Sequence, residues 1–225
     1  MSHLIGVVGE SGTGKSTAMR NLDSNKTYII NVQGKPLPFR GSGAKYSVVN
    51  KNIAALDKWN DVAQVIQGIS DNKPEITSIV IDDAGFIMST EYFKRASEPG
   101  YTKFSEIGQH MFNLLNTAKN LRNDLNVIFT FHMDKTIDSM TGEKDIKIKT
   151  IGKMLDQNYE PAASFTTLLY STVEFDKDGK ASYHFITNRT FAFPAKSPDG
   201  LFESIKIDND LQYVIEKTRE YYNED

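Results

Sequence analysis

The sequence contains no cysteine, and this absence removes several kinds of chemistry at once. Without thiols the chain has no disulfide framework, no cysteine nucleophile and no cysteine-ligated zinc site, a composition that suits a reducing cytoplasm. An excess of one charge is also missing, because 26 basic residues face 29 acidic ones for a net charge near −3. Nothing in this balance attracts nucleic acid or acidic membranes in general, so a polyanion must bind to a local patch.

Long apolar runs are absent as well. The apolar stretch near the start, in MSHLIGVVGESG, is too short for a membrane span or for the core of a signal peptide. We therefore expect a cytoplasmic protein that does not associate with membranes. The 225 residues contain no internal repeat and no low-complexity linker, so we predict a single domain over residues 1–225.

Short apolar runs alternate with helical patterns, which indicates an α/β fold with a central sheet and helices on both faces. The predicted strands are 3–8, 27–32, 78–81 and 127–131, with a further candidate at 46–49. The predicted helices are 16–22, 57–69, 105–121 and 211–222. Runs 165–175 and 182–187 flank an Asp-Gly turn signal, so we expect an antiparallel C-terminal hairpin there. The polar segment 134–150, with a turn candidate at 141–143, predicts a projecting hairpin or loop.

The most specific motif lies between the first strand and the first helix. It matches G-x-x-x-x-G-K-[ST], in which glycine backbone N–H groups turn toward phosphate oxygens, helped by the positive end of the next helix. The lysine reaches the β and γ phosphates of a nucleotide, and the hydroxyl binds magnesium. We predict ATP and Mg²⁺ as ligands of this loop, which comprises Gly9, Glu10, Ser11, Gly12, Thr13, Gly14, Lys15, Ser16 and Thr17.

Two strand ends supply candidates for metal binding and hydrolysis. The buried run 79–81 ends in Asp82 and Asp83, which places carboxylates at the sheet edge where α/β proteins bind ligands. We assign Asp82 to magnesium and Asp83 to activation of the attacking water. The next strand ends in His132, a candidate sensor of the γ phosphate, with Thr130 as a weaker substitute; a structural histidine is the alternative.

Positive residues outside the loop suggest further contacts. Arg189, beyond the predicted hairpin, is the first candidate for a nucleotide-sensing or intersubunit arginine, although a simple strand-edge charge fits equally. Lysines with interleaved aromatics suit the backbone and bases of single-stranded nucleic acid, although charge runs are usually solvated surfaces. Two such groups leave the predicted nucleotide edge: Lys135, Lys144, Lys147, Lys149 and Lys153, and Lys94, Arg95 and Lys103 with Tyr92, Phe93, Tyr101 and Phe104.

Four segments together, GESGTGKST, IVIDD, FTFHMD and TNRTFAFPAKSPDG, resemble the phage nucleotide-binding proteins with a RecA-like ATPase core, near the Sak-four group of single-strand annealing recombinases. The resemblance implies ATP binding, homo-oligomeric rings or filaments, single-stranded DNA binding, and a role in phage recombination or replication in the host cytoplasm. By motif it makes 9–17 the nucleotide loop, Asp82 the magnesium ligand and His132 the sensor, with Arg189 and Lys196 in the last segment.

One departure from that family concerns the catalytic base. RecA-like enzymes usually carry a glutamate at the end of the strand after the P-loop helix, whereas this strand ends in Gln33 without a carboxylate. Either Asp83 replaces the glutamate or hydrolysis is slow; Gln33 could orient a water but is a poor base. Two other functions stay open: a small-molecule phosphotransferase with residues 84–104 as a lid, and a nucleotide-dependent switch acting through protein partners.

Overall fold

A computed structural model describes residues 1–137, 144–151 and 160–222. Its strands are β1 (His3–Gly9), β2 (Thr27–Asn31), β3 (Ile53–Ala54), β4 (Ser78–Asp82), β5 (Asn126–Ile137), β6 (Lys144–Ile148), β7 (Thr167–Phe175), β8 (Ala181–Ile186) and β9 (Lys206–Asp208). Its α-helices are α1 (Ser42–Lys45), α2 (Trp59–Asn72), α3 (Gly85–Lys94), α4 (Thr102–Lys119) and α5 (Leu211–Tyr222), and 3₁₀ turns occupy Thr17–Asn21 and Pro161–Ser164.

One sheet organises the described residues, in the order β3-β2-β4-β5-β1-β7-β8-β9, with β6 paired to the far end of β5. The strands from β3 to β7 run parallel, whereas the β7–β8, β8–β9 and β5–β6 pairs are antiparallel. β5 therefore separates β1 from β4. Because these strands are parallel, the carboxyl ends of β1, β2, β4 and β5 meet at one edge of the sheet, where doubly wound folds bind ligands.

Both faces of the sheet are covered by apolar side chains from other elements. Alternate strand residues point to opposite faces, so in β1 Leu4 and Val8 join one core and Ile5 and Val7 join the other. The first core is closed by α2, α3 and α4, and the second by the 3₁₀ turn, α5 and the segment around Leu37. The predicted α/β class, helices on both faces and antiparallel C-terminal hairpin are confirmed.

Several local predictions need correction. The helix predicted at 16–22 is only the five-residue 3₁₀ turn Thr17–Asn21, because the chain must turn back at once into β2. The strand predicted at 46–49 is a turn, with Tyr46 buried under the sheet. Helix α3 was not predicted as a helix, since its apolar stripe is weak. The prediction of a hairpin at 134–150 is confirmed by β5 and β6, and its turn at 141–143 lies outside the described residues.

The C-terminal segment supports the short 3₁₀ turn. Leu211, Val214 and Ile215 of α5 pack in the same core as Ala18 and Met19. Polar contacts add to this packing, because the Arg20 guanidinium donates to the carbonyl of Asn209 at 2.6 Å and Asn21 to the Asp210 carboxylate at 2.6 Å. In the part of the chain that is described, no helix is both long and apolar enough to cross a bilayer. A single domain over 1–225 stays a prediction.

Candidate nucleotide site

The loop between β1 and the 3₁₀ turn has the backbone shape that a phosphate cradle needs. Gly12 and Gly14 have φ of 82° and 92°, in the left-handed region that other residues avoid. Lys15 folds back over this loop, and its Nζ donates to the carbonyl oxygens of Gly9 at 3.0 Å and Glu10 at 2.8 Å. The loop is thus already curved around the lysine that sequence analysis assigns to phosphate.

Lys15 lies in a strongly acidic setting at the centre of the site. Burial lowers the pKa of its ammonium group, while the nearby carboxylates of Asp83 and Asp82 act in the opposite direction. A desolvated cation with incomplete compensation gains from an incoming anion. A polyphosphate entering the loop would supply that charge.

The carboxylate of Asp82 connects the loop to two neighbouring strands. Ser16 Oγ donates to Asp82 Oδ1 at 3.0 Å, and Thr130 Oγ1 donates to the same oxygen at 2.8 Å. Burial and the charge of Asp83 raise the pKa of Asp82, although these two hydrogen bonds oppose the shift. The strand order explains the arrangement, since Thr130 on β5 lies between β1 and β4.

Asp83 is held in an unusual backbone conformation beside His132. Its φ of 59° is left-handed, a strained state that occurs preferentially at functional sites, and its N–H donates to Thr130 Oγ1 at 2.7 Å. Its Oδ1 lies 3.4 Å from His132 Nε2. Burial raises the pKa of Asp83, but His132, Lys15 and Lys35 outweigh it and keep the pKa below its ordinary value. Asp83 is therefore ionised at neutral pH.

Lys15, Ser16, Asp83 and His132 line a cavity of about 520 Å³ at the carboxyl edge of the sheet. The volume suits a bound nucleotide. Four lining residues were not identified from the sequence: Lys35 and Pro38 after β2, Phe86 on α3, and Tyr183 on β8. The full lining comprises Ser11, Gly12, Gly14, Lys15, Ser16, Thr17, Lys35, Pro38, Asp83, Phe86, His132 and Tyr183.

The far side of the loop rests on β7 and on the residue after β9. Ser171 Oγ donates to the carbonyl of Thr13 at 2.5 Å, and Asn209 Nδ2 donates to Ser171 Oγ at 3.2 Å. Both side chains are buried, so these contacts fix the height of the loop above the sheet. Ser171 and Asn209 belong to no local motif, and the sequence contained no signal for them.

Gly9 offers a direct test of this close packing. A Cβ at Gly9 would lie 2.9 Å from the carbonyl oxygen of Ser171 and 2.6 Å from Thr13 Oγ1. We expect Gly9→Ala to destabilise the fold by roughly 1–3 kcal/mol, as overpacking does, in thermal or urea unfolding. Gly68→Ala is the control, because Gly68 lies in α2 with open space around it, and alanine should stabilise that helix by up to about 1 kcal/mol. Equal stability of both variants would contradict the packing described.

The other predicted residues take different positions. Glu10 is exposed and contributes its carbonyl to Lys15, and Gln33, half-buried, follows β2 without lining the cavity. Arg189 is exposed and is absent from the cavity lining. Because β8 runs antiparallel to β7, the chain beyond it leads away from the nucleotide edge. Lys196 pairs through its backbone with Leu168.

The basic cluster on α3 and α4 is mostly neutralised. Lys94 forms an ion pair with Asp57, and Arg95 is held by Glu91, Glu98 and Glu106. The ammonium of Lys103 donates to the carbonyls of Arg95, Ala96 and Glu98 and lies over the rings of Tyr92 and Phe104. These charges stabilise the junction between the two helices. The prediction that they bind nucleic acid receives no support from this geometry.

The donor atoms fit Mg²⁺ bound together with a nucleotide. Ser16 and Asp82 present two hard oxygen donors side by side, and no group of three or more potential His, Asp or Glu ligands exists in the described ranges. Mg²⁺ is commonly held by one or two protein oxygens, phosphates and water rather than by a protein cage. Ser16 and Asp82 would hold the ion, which would neutralise phosphate charge.

A phosphate loop after β1, an acidic strand end at β4, and an intervening strand β5 that carries the polar His132 at the level where β1 ends define an α/β P-loop NTPase. The comparison with protein families agrees, because the AAA domain matches residues 3–198. The chain belongs to this family of P-loop ATPases, which implies nucleotide binding. Comparison with curated proteins finds no match.

Proposed function

We propose that the chain hydrolyses MgATP in the cavity at the carboxyl edge of the sheet and uses it to act on single-stranded DNA. The observation that supports this most directly is that Lys15, Ser16, Asp83 and His132 line one cavity, with Asp82 bound behind it to the Ser16 hydroxyl. Lys15, Ser16 and Asp82 serve nucleotide and magnesium binding, and turnover needs a group that orients water. The test is ATP hydrolysis with and without single-stranded DNA, on protein whose mass in solution is known with each nucleotide.

The proposed chemistry depends more on position than on base strength. In phosphoryl transfer the transition state is loose, so orienting the water and neutralising charge contribute most. An ionised Asp83 with a low pKa accepts a hydrogen bond from water but is a weak base. His132, 3.4 Å from it, limits where that carboxylate points. This arrangement favours slow basal ATP hydrolysis, with a rate that rises when the residues of the site are rearranged.

Hairpin β5–β6 is the proposed DNA contact. Ile146 and Ile148 face the core, so Lys147 falls on the opposite face of β6, 3.8 Å from the carboxylate of Asp145, and Lys149 directly follows the strand. Lys149 is exposed and its N–H donates to the carbonyl of His132 at 2.8 Å. The basic strand is thereby attached directly to the residue beside Asp83. A DNA strand bound here would be coupled to the nucleotide through the backbone of β5.

Charge reversal tests this contact. We expect Lys147→Glu with Lys149→Glu to weaken binding of single-stranded DNA at least tenfold and to flatten its dependence on salt, because fewer counterions are released. Fluorescence anisotropy at several salt concentrations measures both. The matched control is Lys26→Glu with Lys119→Glu, the same charge change at exposed positions on the opposite edge of the sheet. An unchanged salt slope in the β6 variant counts against the hairpin.

The two alternative functions predict different behaviour. A phosphotransferase would form ADP only with an acceptor, but α3 packs on α4 through buried Ile87 and Met88, and Arg95 is already engaged by three glutamates. These contacts do not favour a mobile, cationic lid at 84–104. A switch would form complexes with partners in a nucleotide-dependent way without turnover. DNA-stimulated hydrolysis distinguishes our proposal from both.

The assembly and the pathway are parts of the same proposal. The resemblance to RecA-like phage proteins of the Sak-four group supports a homo-oligomer that serves recombination or replication. Arg189 does not line the cavity of its own chain, so a nucleotide-sensing role for it requires a neighbouring copy. An Arg189→Ala variant that hydrolyses ATP normally at a concentration where the oligomer forms would exclude that role.

A further inference from the structure

Lys35 lies in the nucleotide cavity together with the catalytic candidates, although it belongs to no recognised motif. It follows β2 and lines the same cavity as Lys15, Asp83 and His132. The strand order puts β2 next to β4, with Asn31 opposite Asp82 in register. Lys35 therefore extends from the turn beside the acidic strand end, at the side of the cavity away from Tyr183 on β8.

The turn that carries Lys35 is held in a fixed shape. Asn31 is buried, and its Nδ2 donates to the carbonyl of Lys35 at 2.6 Å. The N–H of Gly34 donates to the carbonyl of Asn31 at 3.2 Å, and Gly34 has a left-handed φ of 63°. The N–H of Val32 donates to the carbonyl of Asp82 at 3.2 Å, which ties the turn to β4. The position of the Lys35 backbone is therefore determined by the sheet edge itself.

The side chain of Lys35 lines the same cavity as Asp83, the proposed water-activating group. Its ammonium lies 5.6 Å from the centre of the Phe86 ring, a cation–π contact that keeps it over α3. It is close enough to Asp83 to favour the ionised carboxylate, as Lys15 also does. Lys15 from the phosphate loop and Lys35 from the turn after β2 thus line the same cavity as Asp83. Lys35 itself is exposed, and none of the contacts described gives its ammonium a carboxylate at ion-pair distance.

We infer that Lys35 binds the terminal phosphate of ATP from within the same chain and makes the site prefer ATP to ADP; this rests on the proposed function. The loop and Lys15 reach the β and γ phosphates, and the γ phosphoryl group transferred to water must also lie next to Asp83 and His132. That is where Lys35 is placed. A cation there neutralises charge that exists on the γ phosphate and that ADP lacks, a task often given to an arginine.

The test compares the affinities of Lys35→Ala for two nucleotides. Titration calorimetry of the full chain with Mg²⁺ and either ADP or a non-hydrolysable ATP analogue should show about a tenfold loss for the analogue, the size expected of one charged contact. Affinity for ADP should stay within about twofold. Lys35→Arg should restore most of the preference, because it keeps the charge.

Lys73→Ala is the matched control. Its ammonium lies 5.6 Å from the Tyr28 ring, the same type of contact at the opposite edge of the sheet, so neither affinity should change. Equal losses for both nucleotides in Lys35→Ala would overturn the inference, as would no loss for either. If the wild-type chain binds no nucleotide, the proposed function itself fails, and these outcomes are therefore distinguishable.

Discussion

Replacing Lys15 with alanine is expected to abolish measurable ATP binding. The ammonium is buried in the loop and already makes two hydrogen bonds to carbonyl oxygens, which phosphate oxygens would replace with charged partners. Losing charged hydrogen bonds to two phosphates costs on the order of 3–6 kcal/mol, or more than a hundredfold in affinity. Titration calorimetry or fluorescence with a labelled nucleotide measures the effect for both ATP and ADP.

The Lys15→Ala variant should still fold, which keeps the result interpretable. The hydrogen bonds of its ammonium within the described residues go to carbonyls of its own loop, and alanine removes a desolvation cost that exceeds the attraction of Asp83 and Asp82. We therefore expect a thermal unfolding midpoint close to that of the wild type without nucleotide, and no rise when ATP is added. Lys26→Ala, an exposed lysine outside the cavity, should keep the full rise. Retained ATP affinity in Lys15→Ala would refute the assignment of the site.

Replacing Asp83 with asparagine is expected to stop hydrolysis while leaving ATP binding intact. Asparagine is the appropriate substitute because, with aspartate, it tolerates the left-handed φ of 59° that most residues avoid. It also keeps the N–H bond to Thr130 and an oxygen near His132. Loss of a group that orients or deprotonates water lowers the rate by roughly 10²–10⁴-fold. Steady-state phosphate release, measured at saturating ATP, reports the change.

Two companion variants decide how a different result is interpreted. Asp124→Asn removes an exposed carboxylate paired with Arg122 and should hydrolyse ATP at the wild-type rate. If Asp83→Asn also hydrolyses normally, the water is oriented by another group, and Gln33→Ala is the next variant to measure. Asp82 is a less informative target, because its carboxylate accepts from both Ser16 and Thr130 and its loss would disturb binding and turnover together.

The nucleotide loop was predictable because its chemistry is local. The glycines, the lysine and the hydroxyl that bind phosphate and magnesium all lie within nine consecutive residues, at fixed spacing. The proximity of Ser16, Asp82 and Thr130 could also be predicted, because each strand was recognisable in the sequence and parallel strands end at one edge of the sheet. Lys35 was not found because its place depends on a turn fixed by the Asn31 side chain. Tyr183 was missed for a related reason, as it reaches the cavity only through antiparallel pairing of β8.

Other errors came from contacts between distant positions. The cluster around Arg95 was a candidate nucleic-acid contact in the sequence, yet Arg95 is also paired with Glu106 from the next helix. Composition cannot tell a paired charge from an available one. Similarly, the pattern at 16–22 resembles a full helix, but only a five-residue 3₁₀ turn forms and α5 packs against it. Local helix propensity does not predict such packing against a distant helix.

The contact between Arg20 and Asn209 has a consequence for synthesis of the protein. The two residues are separated by 189 positions, so the phosphate loop emerges from the ribosome long before the residues that support it. Chains begin to fold from the N-terminus during synthesis. Here Ser171, Asn209 and α5 must arrive before the loop has its final support. A nascent chain would therefore acquire full nucleotide affinity only after the residues up to α5 have been synthesised.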